Sequence, residues 1–232
     1  MERLKACHTW VFDLDNTLYP AQCDLFAQID QKINRFVANF LQMEPAKARV
    51  LQKQYYFEHG TTLNGLMKNH PVNPDQFLEF VHDIDYSVLA NSPRLRRAIT
   101  ALPGRKFVFT NGSFAHANSA LGALGLDGVF DNIIDIVATG FEPKPRQSAY
   151  DHLVTTFDLE PSRSVLFEDL SRNLLPAHEM GFVTVLVCSD KDWSHEPEGA
   201  RPASSDERHD HVHFSTDDLT SFLTDLCLKE AQ

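Results

Sequence analysis

Two carboxylates, Asp13 and Asp15, stand two residues apart directly after the apolar run Trp10-Val11-Phe12. That run is short and β-prone, as expected of a strand buried on both faces of a parallel sheet. In extended chain, residues i and i+2 point the same way, so both carboxylates can face one ligand. Open α/β sheets bind ligands just beyond the carboxyl ends of their strands, where this pair falls. On its own, an Asp-x-Asp of this kind is better read as a solvated strand end or a side-chain-capped turn. Three later features change that weighing. Phe107-Val108-Phe109-Thr110-Asn111-Gly112 is a second apolar strand, ending in a hydroxyl, an amide and a glycine turn. Lys144 lies between Pro143 and Pro145, on a stiffened loop. Val165-Leu166-Phe167-Glu168-Asp169 is a third apolar strand, ending in paired carboxylates.

A phosphate monoester needs a nucleophile, a proton donor for the leaving oxygen, and positive charge around the phosphoryl oxygens. Asp13 has the chemistry of a nucleophile that forms an aspartyl-phosphate. Asp15 can protonate the leaving alcohol and then deprotonate the attacking water. In order and spacing, the four segments resemble the motifs of the haloacid dehalogenase superfamily of phosphotransferases, which assigns Asp13 and Asp15 these same roles. Phe12 to Pro20, Gly60 to Met67 and Val81 to Tyr86 resemble its pyrimidine 5′-nucleotidase branch more narrowly. So do Thr110-Asn111-Gly112, His116-Ala117 and Ser171-Arg172-Asn173. The similarity runs from about Thr9 to Cys188. Dehalogenases of the superfamily lack a carboxylate at the position of Asp15, whereas its phosphatases keep one.

A phosphate dianion beside Asp13, Asp15 and Asp169 meets three carboxylates. Each like-charge contact near 4 Å costs roughly 4 kcal/mol at an effective dielectric of about 20. Lys144 and backbone amides do not offset that, so a divalent cation is expected, and an all-oxygen site suits Mg²⁺. The resemblance implies that Asp13, Asp169 and the main-chain carbonyl of Asp15 bind it. Glu168 departs from the paired aspartates common in this branch and is expected in contact through water, with Asn173 also just outside the ligand set. Thr110 and Asn111 are expected on the phosphoryl oxygens, with Lys144 neutralising nucleophile and phosphate.

The elements that must position these groups follow from periodicity. From Ala21 the apolar residues Leu25, Ile29, Ile33, Phe36 and Phe40 recur at three or four, one face of a helix. Pro45 opens a second helix, with Val50, Leu51 and Tyr55 expected inward, and Gly60 stops it. Residues 61–69 read as a polar, glycine-containing turn, and Pro74 begins a short helix carrying Phe77, Leu78 and Val81. Residues 20–92 are therefore expected to be an all-helical cap. Residues 1–19 and 93–232 are expected to form a doubly wound (Rossmann-like) α/β core with a parallel sheet. Pro93 opens a helix to Leu102 with Leu95 and Ile99 inward. Strands are expected over 106–110, 133–137, 165–168 and 183–188, and helices over 114–124, 147–157 and 172–180. Pro176 in the last of these is taken to lie near its first turn. Residues 190–210 read as a long surface loop, 212–214 as an edge strand and 217–228 as a closing helix.

With 232 residues and a 43% hydrophobic share, the chain can bury a sizeable core, and disorder is excluded. No apolar run approaches a membrane span, and residues 1–5 lack a signal-peptide core. Cys7, Cys23, Cys188 and Cys227 are scattered without a CxxC pair, which fits free thiols in a reducing cytoplasm. A net charge of −11 gives no basic footprint for nucleic acid, and it makes any phosphate site build its positive field locally. His209, His211 and His213 alternate but lack a cysteine to complete a zinc pattern, and are expected to be exposed. Thr61, Thr62, Asn64 and Gly65, in the presumed turn of the cap, are the candidates for base or ribose contact. Phe26, Phe36, Phe40 and Phe57 are expected chiefly as cap core. The expected activity is hydrolysis of UMP or CMP, with another small phosphate monoester, such as a sugar phosphate or phosphoglycolate, as the alternative. A non-catalytic binding protein on the same fold would have eroded catalytic positions, and these are intact.

Overall fold

The structure, a computed structural model, describes residues 2–193, 202–204 and 208–230. Most of the expected loop over 190–210 thus lies outside the described residues. Six parallel strands form one sheet: β1 (Thr9–Phe12), β2 (Arg105–Phe109), β3 (Asn132–Ile134), β4 (Ser164–Glu168), β5 (Val183–Val187) and β6 (Phe214–Thr216). Their order is β3-β2-β1-β4-β5-β6, so β1 is central and the winding reverses beside it. Every residue of β1, β4 and β5 is buried, which is why these segments read as continuous apolar runs without alternation. Phe12 and Phe167 stack at 4.6 Å across the β1–β4 pair, and Trp10 donates its indole N–H to the Pro103 carbonyl at 2.6 Å.

Helices cover both faces of the sheet: α1 (Glu2–Lys5) precedes it. Then α2 (Leu25–Phe40), α3 (Pro45–His59), α4 (Thr62–Asn69) and α5 (Pro74–Val81) follow β1, and α6 (Pro93–Ala101) leads into β2. The remaining helices are α7 (Phe114–Leu124), α8 (Gln147–Phe157), α9 (Ser171–Glu179) and α10 (Leu219–Glu230). Between β1 and β2 the described chain forms no strand. Helices α2–α5 share their own apolar cluster, with Ile29, Val37, Tyr55, Leu66, Phe77 and Val81 at its centre.

Several expectations are corrected. Residues 61–69 are not a turn. Thr61 is the N-cap of α4, its hydroxyl accepting the Asn64 N–H at 3.1 Å, and the chain continues helically through Gly65. Val50 is 69% exposed and Phe40 38% exposed; α3 instead buries Ala48, Gln52 and Tyr55. Strand β3 stops at Ile134 because Asp135 turns the chain, its carboxylate accepting the N–H groups of Ala138 and Phe114. Pro176 lies in the second turn of α9, where it costs one helical hydrogen bond, and the helix runs on to Glu179. The edge strand begins at Phe214, two residues later than expected. The three histidines are half-buried, not exposed. His211 Nε2 lies 2.9 Å from the Ser171 carbonyl oxygen, and His213 Nδ1 accepts the Thr184 N–H at 3.1 Å.

Candidate active site

Asp13 follows the last residue of β1 and stays in register with β4, its N–H donating to the Phe167 carbonyl at 2.9 Å. Asp169 follows β4 next to it, and Glu168 ends that strand, so three carboxylates converge from adjacent strand ends. Asp13, Glu168 and Asp169 are all buried, and they offer ligand oxygens within 4.8 Å of one another. Into this cluster reaches Lys144, itself 1% exposed. Its ammonium lies 2.6 Å from Asp13 Oδ1, 2.6 Å from Glu168 Oε2 and 2.8 Å from the Phe109 carbonyl. Asn111 holds the lysine's backbone in place: its amide accepts the Lys144 N–H at 2.8 Å and donates to the Lys144 carbonyl at 3.1 Å. The Asn111 side chain is therefore engaged in fixing the lysine loop, and the residue also lines the cavity. Thr110 is 1% exposed, with its hydroxyl oxygen accepting the Gly112 N–H at 2.9 Å, which leaves the O–H to donate into the cavity it lines.

Three carboxylates and one ammonium leave two negative charges in a dry pocket. Burial first, then the charge of Glu168, pushes the Asp13 carboxyl up to about 7 against the pull of Lys144. Asp169 is likewise raised well above the carboxylate range, by burial and then by Glu168 and Asp13. Lys144 is raised because Asp13 and Glu168 outweigh the burial that opposes its charge. The cluster is thus short of positive charge, which a divalent cation supplies, and its donors are hard oxygens. A further donor lies beside it: Asn173 is 3% exposed, lines the same cavity, and its Oδ1 has no hydrogen-bond partner. Asn16 donates to Asp169 Oδ2 at 3.3 Å. The residues present fit Mg²⁺. Both oxygens of Glu168 have protein partners: one takes Lys144 and the other the Leu170 N–H at 3.2 Å.

Asp15 has different company. Its Oδ1 accepts from the Tyr19 hydroxyl and lies 2.8 Å from His116 Nε2. Burial opposes its charge, but His116 and Tyr19 win, and its carboxyl is held below the usual range. The sequence reading placed His116 in a motif without a role and did not connect Tyr19 to Asp15. The only signal was membership of the same recognisable segments.

A cavity of about 880 Å³ opens from these residues toward α2 and α3. Asp13, Asp15, Thr110, Lys144 and Asp169 line its floor, and Phe26, Ile33, Gln52 and Tyr56 line the opposite wall. Thr61 and Thr62 border it, but Thr62 spends its hydroxyl on the Gln52 carbonyl at 3.0 Å. Asn64 and Gly65 do not line it. Asn64 donates to the Phe141 carbonyl at 3.0 Å, and Gly65 packs so tightly on Tyr55 that a Cβ would come within 2.4 Å.

A parallel, doubly wound sheet with an acidic cluster and a lysine at its carboxyl edge defines the haloacid dehalogenase type of α/β fold. A model of the haloacid dehalogenase-like hydrolases matches residues 8–181, and the chain belongs to that family. It is 30% identical over 134 residues to phosphate metabolism protein 8 of Saccharomyces cerevisiae, covering 53% of this chain and 41% of that one. It is 36% identical over 99 residues to enolase-phosphatase E1 of Frankia alni, 41% of each. The chain spans about two-fifths of the length of these relatives. Among solved structures, a HAD phosphatase from Thermococcus onnurineus superposes with TM-score 0.60 at 15% identity, covering 94% of this chain and 97% of that one. L-2-haloacid dehalogenase from Xanthobacter autotrophicus gives 0.59 at 14%, covering 95% and 98%. These structures establish the fold. No helix among the described residues is long and apolar enough to cross a membrane, and none of the four cysteines forms a disulfide.

Proposed function

We propose that this chain hydrolyses phosphate monoesters through an aspartyl-phosphate on Asp13, with Mg²⁺, and that its substrates are pyrimidine nucleoside 5′-monophosphates. The observation that carries this reading is the pairing of unlike carboxylates at one strand end. Asp13 is locked on Lys144, and Asp15 is locked on His116 and Tyr19, both at the floor of one cavity. Asp13, Asp169 and the Asp15 carbonyl would hold Mg²⁺, which would supply the charge that keeps Asp13 ionised and offsets the phosphate dianion.

Asp13 then attacks phosphorus, with Lys144 fixing the carboxylate and its attacking geometry. The Thr110 O–H donates to a phosphoryl oxygen. Asp15, ionised before substrate binds, takes up a proton as the phosphate dianion settles beside it and raises its hold on that proton, and then gives it to the departing alcohol oxygen. The same carboxylate afterwards takes a proton from the water that cleaves the aspartyl-phosphate. Helices α2–α5 act as the cap over residues 20–92. The 880 Å³ cavity falls within the range that holds drug-sized ligands, and Phe26 offers flat apolar surface to a base, beside Tyr56, whose ring carries the Arg172 guanidinium at 4.4 Å.

The test is a panel of UMP, CMP, AMP, ribose 5-phosphate, phosphoglycolate and p-nitrophenyl phosphate, each assayed with Mg²⁺ and with EDTA. The reading expects kcat/KM for UMP and CMP at least tenfold above ribose 5-phosphate, and no turnover in EDTA. Ribose 5-phosphate turned over as well as UMP would defeat the nucleotide assignment, and undiminished rates in EDTA would defeat the metal.

A further inference from the structure

Three pieces of the segments singled out in the sequence have no role assigned in the reaction so far: Tyr19, the stretch His82 to Tyr86, and His116. The structure brings all three to Asp15. His116 is 1% exposed, with Nε2 2.8 Å from Asp15 Oδ1 and Nδ1 2.9 Å from the Tyr86 hydroxyl. A carboxylate only accepts, so Nε2 carries a hydrogen; Nδ1 lies against the Tyr86 hydroxyl, which also reaches the His82 carbonyl at 3.2 Å. The imidazole lies flat on that of His82, centroids 4.5 Å apart and planes 11° apart. His82 Nδ1 is 3.0 Å from the Ser113 hydroxyl, whose oxygen also accepts the His116 N–H at 3.3 Å. Tyr86 and His82 follow α5, on the segment that returns from the helical insertion to the sheet.

Gly112 supplies independent evidence that this ring is seated by design of the backbone. A Cβ there would fall 2.9 Å from His116 Cδ2 and 3.3 Å from Thr110 Oγ1, so only glycine lets the strand-end turn pass this close to the imidazole. Both donors to Asp15 fall on Oδ1; the same Gly112 position lies 3.8 Å from Oδ2. The two oxygens of Asp15 are therefore not equivalent. Oδ1 is saturated by donors, and Oδ2 is left toward the cavity floor that Asp15, Thr110 and Gly112 line.

We propose that His116, held by Tyr86 and stacked on His82, is a positioning residue that fixes Asp15 so that Oδ2 alone meets the leaving oxygen. This rests on the reading of Asp15 as the proton donor. An acid that is misplaced costs most where the leaving alcohol needs its proton, and little where the leaving group departs as an anion. An alkyl ester such as a nucleotide should therefore suffer more than p-nitrophenyl phosphate.

The experiment compares kcat/KM for the best alkyl phosphate of the panel and for p-nitrophenyl phosphate; kcat/KM ends at alcohol release and so excludes the later hydrolysis of the aspartyl-phosphate. His116→Ala should lower the alkyl-to-aryl ratio tenfold or more. His116→Gln, whose amide nitrogen reaches the place of Nε2, should return the ratio to within about threefold of wild type. Tyr86→Phe, which keeps the ring and loses only the hydroxyl, should lower the ratio by an intermediate factor, and it decides the matter if His116→Ala does not fold. Asp15→Asn is the reference. If it leaves the ratio unchanged, the proton-donor reading fails. If it lowers the ratio while the His116 and Tyr86 variants slow both esters equally or not at all, that reading stands and the positioning role is overturned.

Discussion

Lys144→Met removes the only ammonium, among the described residues, in contact with the buried carboxylate cluster and roughly preserves the side chain's length. Asp13 and Glu168 each lose a partner at 2.6 Å, and both are buried. Breaking a buried pair by deleting one member costs about 3–5 kcal/mol. The remaining carboxylates, with oxygens within 4.8 Å, repel by roughly 3 kcal/mol per ionised pair at an effective dielectric of about 20. At this chain length each kcal/mol moves Tm by about 2–4 °C, so without metal the variant should melt about 6–20 °C lower at pH 8. The pH dependence gives the sharper check. Asp13 is raised from 3.8 to about 7, so the folded state binds the extra proton. Its contribution is fully present below about 4 and is lost as pH rises through about 7. Without Lys144 that upper limit moves higher still, so the variant's deficit should be large at pH 8 and small at pH 5. Adding Asp13→Asn to Lys144→Met removes one of the repelling charges and should recover part of the loss at pH 8. Thermal melts in EDTA at the two pH values measure all of this. A deficit independent of pH, or no deficit at pH 8, would refute the account of Lys144 as the counter-charge of the cluster.

Mg²⁺ should raise the Tm of the wild-type protein more at pH 8 than at pH 5, because Asp13 and Asp169 must shed protons before they can bind a cation; equal shifts, or none, would place the cation elsewhere. Asn64→Ala should cost about 1–3 kcal/mol of stability by orphaning the Phe141 carbonyl, and lower turnover of UMP and p-nitrophenyl phosphate alike; a selective loss on UMP would return Asn64 to the specificity site.

The central strands were legible because burial on both faces leaves mostly apolar residues in β1, β4 and β5, with Thr9, Ser164, Glu168 and Thr184 the polar exceptions. Helix ends were legible where one residue dictates them, as Pro45 and Gly60 do for α3; Gly60 has φ +85°, and a Cβ there would meet Pro143 at 2.8 Å. The failures have a common cause. Val50 reads as inward because it is apolar, but the buried stripe of α3 is Ala48, Gln52 and Tyr55, with a polar residue at its centre. Residues 61–69 looked like a turn because threonine, asparagine and glycine favour turns locally. Tertiary packing of Leu63 and Leu66 and the Thr61 cap made them a helix. A carboxylate's partners are harder still to read: Lys144 is 131 positions from Asp13 and His116 is 101 from Asp15, and no local period reports such distances.

Strand order explains why two carboxylates on one strand end come to such different environments. Because β1 lies between β2 and β4, the segment after it has a different neighbour on each side. Asp13 is bonded through its backbone to β4, whose end brings Glu168 and Asp169, and the loop after β3 adds Lys144. Asp15, two residues on, meets the turn and helix that follow β2, which bring Gly112 and His116. One carboxyl is thereby driven up by like charges, and its neighbour is held down by donors, without any difference in residue type. A pair placed at the end of an edge strand would have one such neighbour and one environment. The division depends on a central strand at the point where the winding reverses, and that is the position the apolar run Trp10-Val11-Phe12 occupies.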